Sequence, residues 1–178
     1  KAGQFITSLN GIPIEYRREL CSLENEATPS SFTDIKSVIL GEFPGKSLDD
    51  LFLYFEEKPM AAASLAQVHR AITRNGEPVA VKVQYPLTER CFYSDLGNLS
   101  LSSRIVRFVF PQIDLDWIIR RFKNEIQKEL DFVQEAQNSK EISKLFSPRK
   151  SILKIPSIHW DLTTRRVLTM ELIEGVKI

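Results

Sequence analysis

A lysine within a run of valines is the first residue of this 178-residue chain whose position suggests chemistry. Lys82 lies in the run VAVKV, and because side chains alternate along a strand, it points to the face opposite Val79, Val81 and Val83. A lysine in that position can hold a phosphate group, or it can be an ordinary surface lysine, which is the commoner case for this residue type. The residues around it leave both interpretations open.

Three carboxylates lie close together in the segment ELDFVQEAQN. The spacing of apolar residues predicts one helix from Leu115 to about Leu145, on which Asp131 and Glu135 are four residues apart and share a face. Glu129 lies about 120° around that helix from Glu135, so that one helix presents carboxylates in two directions. These side chains either form an acidic solvated face or supply a partner for Lys82.

The strand that carries Lys82 belongs to a predicted hairpin. Two apolar runs flank Asn75-Gly76, a pair typical of two-residue hairpin turns of type I′, in which both central residues have positive φ. The hairpin fixes the direction in which Lys82 points.

Four small residues, Ala61-Ala62-Ala63-Ser64, come directly before this hairpin. Small side chains allow a backbone to approach a bound molecule closely. Alanine-rich runs also favour the start of a helix, which is the structural alternative.

These segments together resemble the UbiB family of atypical kinase-like proteins, also called the aarF-domain-containing kinases. PMAAASLAQVHRA and VAVKVQYP carry the resemblance, with Lys1-Ala2-Gly3-Gln4 similar to the family's K-x-G-Q motif and Glu129-Leu130-Asp131 similar to its E-x-D motif. RRVLTMELIEG resembles the strand and hinge that join two kinase lobes. The similarity runs over the whole chain and looks closest to mitochondrial members outside the main coenzyme Q branch.

The resemblance implies an α+β fold, a protein-kinase-like small lobe with about five antiparallel strands, a long helix and a helical N-terminal extension. Residues 1–54 would be the extension with the K-x-G-Q motif, and residues 55–178 the small lobe up to the hinge, without the large lobe. We expect the first strand to follow Phe55–Lys58. The last two strands are predicted at Ile158–Trp160 and Val167–Ile173.

The resemblance also implies roles for individual residues. Lys82 and Glu135 would be the catalytic ion pair, and Ala61, Ala62, Ala63 and Ser64 would replace the glycine-rich loop that covers the ATP phosphates in protein kinases.

Further nucleotide contacts are implied at both ends of the chain. Lys1 and Gln4 would lie over the nucleotide, with Lys1 beside Glu129, and Asp131 would face the nucleotide or a metal. Met170 and Glu171 would lie at the hinge behind the nucleotide, although a methionine there can equally be a core residue.

By resemblance, the chain is the ATP-binding small lobe of an atypical kinase or ATPase linked to mitochondrial lipid or quinone homeostasis. ATP or ADP would be its ligand, Mg²⁺ would be bound mainly by the large lobe, and a lipid or quinone-like molecule and a membrane are further expected partners. The alternative is a non-catalytic lipid-binding or scaffold pseudokinase. The chain has no H-x-D-like catalytic loop with a following Asn and no D-F-G, so we expect this part alone to be inactive.

Composition excludes several other classes of function. The net charge is +1, from 24 basic and 23 acidic residues, which gives no electrostatic footprint for nucleic acid. Cys21 and Cys91 lack metal-ligand spacing and suggest a reducing compartment. His69 and His159 also lack ligand-type neighbours, so we interpret both as structural and assign no metal ligand in this chain.

Overall fold

The computed structural model describes residues 29–110, 112, 115–146 and 154–175. In chain order, the helices are α1 (Phe32–Glu42), α2 (Leu48–Leu51), α3 (Thr88–Val109), α4 (Asp116–Glu129) and α5 (Phe132–Phe146). The strands are β1 (Phe52–Phe55), β2 (Ala61–Ala62), β3 (Ala66–Thr73), β4 (Pro78–Gln84) and β5 (Val167–Glu171), and a 3-10 helix covers Trp160–Leu162.

One five-stranded antiparallel sheet organises these elements, as predicted. Its order is β1-β3-β4-β5, and the short β2 also pairs with β3. The first strand begins at Phe52, so the expectation that it follows Phe55–Lys58 was wrong. The chain passes directly from α2 into β1, and the residues at this junction, Leu51 and Phe52, are both buried. Strand β1 therefore spans the predicted boundary at residue 54.

The two faces of the sheet have different coverings. Val79, Val81 and Val83 are fully buried in one cluster with Ile35 and Ile39 of α1. Burial of each such aliphatic side chain stabilises the fold by about 1.5–3 kcal/mol relative to leaving it exposed. The described part of the N-terminal extension therefore packs on the face opposite Lys82, and does not cover the side on which nucleotide was expected.

The hairpin between β3 and β4 is confirmed, but its turn differs from the predicted type. The Gly76 N–H donates to the Thr73 carbonyl at 2.9 Å, and the Thr73 N–H donates to the Glu77 carbonyl at 2.9 Å. Gly76 has a φ of 83°, whereas no described residue other than glycine has a positive φ, so Asn75 does not. A three-residue loop that ends in a left-handed glycine replaces the type I′ turn.

The predicted strand at Ile158–Trp160 was wrong. Ile158 makes only an isolated bridge to Met170, and the chain then forms the 3-10 helix. Leu162 is turned into the core there, and the Thr169 hydroxyl donates to its carbonyl at 2.7 Å. Burial of Leu162 and this hydrogen bond favour a compact turn over an extended strand, and β5 ends at Glu171.

The helix predicted from Leu115 to Leu145 is broken into α4 and α5. The carbonyl of Leu130 accepts from Gln84 Nε2 at 2.7 Å, and the Phe132 N–H donates to the Arg165 carbonyl at 3.0 Å. Backbone groups that would continue the helix are thus bonded to Gln84 of β4 and to the segment that precedes β5. Asp131 starts the second helix, because its Oδ1 accepts from the backbone N–H of the residue two positions later at 3.0 Å.

Helices α3 and α4 form an antiparallel hairpin, and the helix predicted over Thr88 to Phe110 is confirmed as α3. Phe92 contacts Phe122 with ring centroids 6.3 Å apart, and Gln127 donates to the Tyr93 hydroxyl at 3.2 Å. None of the helices in the described ranges is both long and apolar enough to cross a membrane.

Candidate functional site

Lys82 and Glu135 form an ion pair between β4 and α5, which confirms the predicted contact. The Nζ of Lys82 lies 2.7 Å from both carboxylate oxygens of Glu135. The same Nζ lies 4.5 Å from the centroid of the Phe132 ring, a cation–π distance. Two neighbours on one helix therefore define where the lysine head group lies.

The position of Glu135 follows from the packing of α5. Phe132 and Ala136, on either side of Glu135 in sequence, are 1% and 0% exposed and pack with Ala66 of β3 and Leu168 of β5. A small residue at position 136 allows the helix to approach the sheet closely. Glu135 is held at the edge of this contact, where it reaches the lysine.

The ion pair is half open to solvent, with 24% of the lysine side chain and 45% of the glutamate side chain exposed. Exposed pairs stabilise a fold by about 0–1 kcal/mol, so this contact contributes more to orientation than to stability. An ammonium group has three donors, and two contacts to one carboxylate leave capacity for a further acceptor such as a phosphate oxygen.

The alanine-rich segment lies on the same face of the sheet as Lys82. Ala61 pairs with Val68, and Val68 pairs with Lys82, which places Ala61 and Lys82 two strands apart, at about 10 Å. Ala61 and Ala62 form β2, so the helix-start interpretation was wrong.

A turn follows this short strand. The Ala63 N–H donates to the Ala66 carbonyl at 2.8 Å, and Ser64 lies exposed within the turn. None of the alanines in this segment has a positive φ, so the turn does not use the backbone conformations that glycine favours.

The two hinge residues point to opposite faces. Met170 pairs with Ala80 on the Lys82 face and packs, half-buried, against the cluster that contains Phe132. Glu171 lies on the other face, where its carboxylate contacts Lys154 Nζ at 2.6 Å. The hydrogen bond from Lys154 is the main cause that lowers the pKa of Glu171. The structure thus brings Met170 close to the ion pair and leaves the Glu171 side chain away from it.

The remaining predicted residues are placed less directly. Asp131 is one helical turn from Glu135, but its side chain serves as the cap of α5. Glu129 ends α4, and Lys1 and Gln4 lie outside the described residues. Within the described ranges, no group of three His, Cys, Asp or Glu residues is arranged to hold a metal ion.

Comparison with known proteins shows the family of this chain. The family model described as the ABC1 atypical kinase-like domain matches residues 22–178. The chain belongs to this family. An AarF domain-containing protein kinase 1 of Xenopus tropicalis is 40% identical over 176 residues, which cover 98% of this chain and 33% of that protein.

Two further proteins are similar to this chain. The Arabidopsis thaliana protein called ACTIVITY OF BC1 COMPLEX KINASE 8, chloroplastic, is 37% identical over 98% of this chain and 23% of its own length. A solved structure of Rv3197 of Mycobacterium tuberculosis, a complex with erythromycin, has a TM-score of 0.73 at 29% identity and covers 99% of this chain and 44% of that one. The kinase-like fold is thereby confirmed, and this chain spans about a third or less of these curated relatives.

Sequence reasoning missed a buried chain of hydrogen bonds through Gln67 and His69 of β3, which we call the polar relay. Gln67 Oε1 accepts from the Ser30 N–H at 2.9 Å, and Gln67 Nε2 lies 2.9 Å from His69 Nε2. An amide nitrogen can only donate, so His69 accepts at Nε2 and donates from Nδ1 to the Glu56 carbonyl at 2.8 Å. Burial lowers the pKa of His69, which is consistent with this neutral form and with its predicted structural role.

The relay connects the elements that surround β2. Ser30 precedes α1, and Glu56 follows β1, where the chain turns toward the alanine-rich segment. Polar residues at alternate positions on the buried face of β3, opposite valines of β4, were the sequence signal for such a relay.

Gln84 is the second residue missed. Its Nε2 donates to the Leu130 carbonyl at 2.7 Å and to the Arg165 carbonyl at 3.3 Å. Because Gln84 is buried and lies two residues after Lys82, it fixes the end of β4 against the start of the helix that carries Glu135. Gln84 therefore holds together the two elements that carry the ion pair, β4 and α5.

Proposed function

We propose that this chain is the nucleotide-binding small lobe of an atypical kinase or ATPase. The observation that carries the proposal is the Lys82–Glu135 ion pair, with Nζ at 2.7 Å from both oxygens, on the open face of the sheet. In kinase-like folds a strand lysine held by a helix glutamate contacts ATP phosphates, and the ABC1 family match supports the same use here.

The residues of this face fit a nucleotide. Lys82 has a third donor for a phosphate oxygen, and the exposed turn at Ala63 and Ser64 lies across β3 from it. Met170 lies behind the ion pair, where it would contact the base. When bound, ATP supplies the transferable phosphoryl group, and this chain's own residues bind and orient it.

The described residues do not by themselves fit Mg²⁺. They contain no cluster of three candidate ligands, and one oxygen of Asp131 already caps α5. We therefore propose that the metal is held mainly by the part of the protein that follows the hinge.

Isothermal titration calorimetry of ATP binding to the full-length protein tests the proposal. Lys82→Met is expected to weaken ATP binding about tenfold or more, since it removes a charged hydrogen bond to phosphate. Lys154→Met is the matched control, because Lys154 lies in an ion pair on the opposite face. Equal ATP affinities in the wild-type protein and in Lys82→Met would refute the nucleotide role.

The alternative is a non-catalytic lipid-binding or scaffold pseudokinase. Several large apolar side chains of α3 are exposed, which favours a surface for a lipid or partner. ATP turnover by the full-length protein, lost in Lys82→Met, would support the enzyme. ATP binding without turnover would support the pseudokinase.

We also propose a mitochondrial location, membrane association and a role in lipid or quinone homeostasis. These rest on the resemblance of the motifs, and one relative is named chloroplastic, so organelles differ within the family. Protease protection of the full-length protein in isolated mitochondria tests the location. Absence of protected protein there would reject it.

A further inference from the structure

The outer end of α3 carries an exposed apolar stripe. Leu101, Ile105, Phe108 and Val109 follow the spacing i, i+4, i+7, i+8, which places them on one side of the helix. Their exposed fractions are 60%, 60%, 89% and 58%. A group of large exposed apolar side chains of this kind marks a surface that binds another protein, a membrane or a ligand.

Helix α4 adds apolar residues at the same end of the hairpin. Ser103 of α3 donates to Asp116 at the start of α4 at 3.1 Å, so the antiparallel helices bring the start of α4 beside the end of α3. Trp117 and Ile118 follow at once, and they are 55% and 45% exposed. We call this end of the hairpin, residues 99–110, 112 and 115–122, the hairpin tip.

The hairpin tip has a net positive charge. Residues 99–122 contain four arginines, which are Arg104, Arg107, Arg120 and Arg121, and two aspartates, a net charge of +2. Asp114 lies between the two helices in sequence, and the other aspartate is Asp116. That carboxylate accepts from Arg107 at 3.5 Å and from the Ser103 hydroxyl, so it is directed into the hairpin. The other acidic residues of α3 and α4 lie toward the base of the hairpin.

We propose that the hairpin tip inserts its apolar stripe into the interface of an anionic phospholipid membrane. Tryptophan is favoured at the level of the headgroups, phenylalanine is typical of the apolar face of helices that lie in a membrane interface, and arginine binds phosphate through paired donors. An apolar surface flanked by basic residues binds anionic bilayers by combining both contributions. The proposal specifies the surface for the membrane association proposed above.

The geometry makes this contact compatible with nucleotide binding. Among the described elements, α3 packs mainly against α4, so the hairpin projects from the sheet. The 22-residue α3 is about 33 Å long at the rise of an α-helix. The hairpin tip is therefore remote from Lys82, and changes there should leave ATP affinity unaltered.

Vesicle flotation with the purified full-length protein tests the apolar contribution. The vesicles contain equal parts of phosphatidylcholine and phosphatidylglycerol. The double change Ile105→Ser with Phe108→Ser is expected to weaken binding about tenfold or more, since it removes two buried side chains. Leu145→Ser on α5 is the matched control, because Leu145 is 74% exposed and lies off the hairpin. Phe108→Trp, which keeps an interfacial aromatic ring, should retain binding.

Charge reversal tests the choice of lipid. Arg104→Glu with Arg121→Glu should abolish binding to the anionic vesicles, whereas Lys36→Glu with Lys144→Glu should leave it nearly intact. Vesicles of phosphatidylcholine alone should bind the wild-type protein much more weakly. Equal binding to both kinds of vesicle, or by both charge-reversed proteins, would overturn the proposal.

Two other results would also overturn it. One is that the wild-type protein floats with neither kind of vesicle. The other is a protein whose serine variant floats normally but changes from dimer to monomer in gel filtration, which would assign the hairpin tip to self-association. Calorimetry of ATP binding to each variant separates this proposal from the nucleotide role, because loss of flotation with unchanged ATP affinity concerns the hairpin tip alone.

Discussion

Replacing Glu135 with glutamine is the most informative change to the candidate site. It keeps the size of the side chain on α5 and removes the charge that contacts Lys82 at 2.7 Å through both oxygens. Because 24% and 45% of the two side chains are exposed, the ion pair should stabilise the fold by about 1 kcal/mol or less. For a folding unit of this size, that loss lowers the melting temperature by at most about 2–4 °C.

The effect on nucleotide binding should be larger than the effect on stability. Without Glu135 the lysine regains rotamer freedom, which is worth about 2 kcal/mol for a fully released side chain. Phe132 still contacts the lysine head group, 4.5 Å from the ring centroid, and retains part of the restraint. We therefore expect ATP affinity to fall about three- to thirtyfold.

Calorimetry for ATP and differential scanning calorimetry for unfolding, both on the full-length protein, measure the two effects. Glu141→Gln is the matched control, because Glu141 is an exposed residue of the same helix. If Glu135→Gln leaves ATP affinity unchanged, the glutamate does not position Lys82 for a ligand. A loss of unfolding free energy above about 3 kcal/mol would instead show that the ion pair behaves as a buried structural contact.

Four further expectations concern single residues. Burial lowers the pKa of His69 below its ordinary value of 6.5, so in acid the unfolded chain binds more protons than the folded one. The free energy of unfolding should therefore fall as the pH drops below 6.5, and urea titrations at several pH values would detect this fall. Asp131→Ala should cost about 1 kcal/mol in urea unfolding through loss of the α5 cap, and Asp131→Asn should recover most of it. Gly76→Ala should cost about 1–2 kcal/mol because φ is 83° there while the space around it is open, and an unchanged melting curve would contradict the turn geometry. Ala62→Gly should alter the ratio of ATP to ADP affinity in calorimetry, and an unchanged ratio would leave Ala62 as a packing residue.

The ion pair was predicted from local patterns combined with the resemblance to kinase-like proteins, because the patterns alone left an acidic solvated face as the alternative. Alternating valines place Lys82 on one face of β4, whereas the choice of Glu135 among the helix carboxylates came from the role that a helix glutamate has in kinase-like folds. The helix break before α5 was missed because the apolar spacing continues across it. Asp131 followed three residues later by Gln134 is the pattern of a capping box, and that signal could have placed the break.

The features that sequence patterns did not predict depend on distant partners. Leu162 forms part of a 3-10 helix because the Thr169 hydroxyl binds its carbonyl and the core covers its side chain, and neither contact has a local signature. The roles of Gln67 and Gln84 likewise depend on backbone groups 37 and 46 residues away. Spacing along the chain indicates which face a residue occupies, but it does not identify a carbonyl contributed by another element.

The fixed start of α5 determines how that helix can move. The Phe132 N–H is bonded to the Arg165 carbonyl, so a rotation of α5 would pivot at this end. Glu135 is about 4.5 Å along the axis from the pivot and Phe146 about 21 Å, so a rotation of about 10° moves the far end by roughly 4 Å and Glu135 by less than about 1 Å. The far half meets Trp160 through Lys140, at 5.4 Å from the ring centroid. A contact at the far end of α5 could thus displace Phe146 substantially while the Lys82–Glu135 bond stays closed. Opening that bond by 3 Å would need a rotation of about 40°.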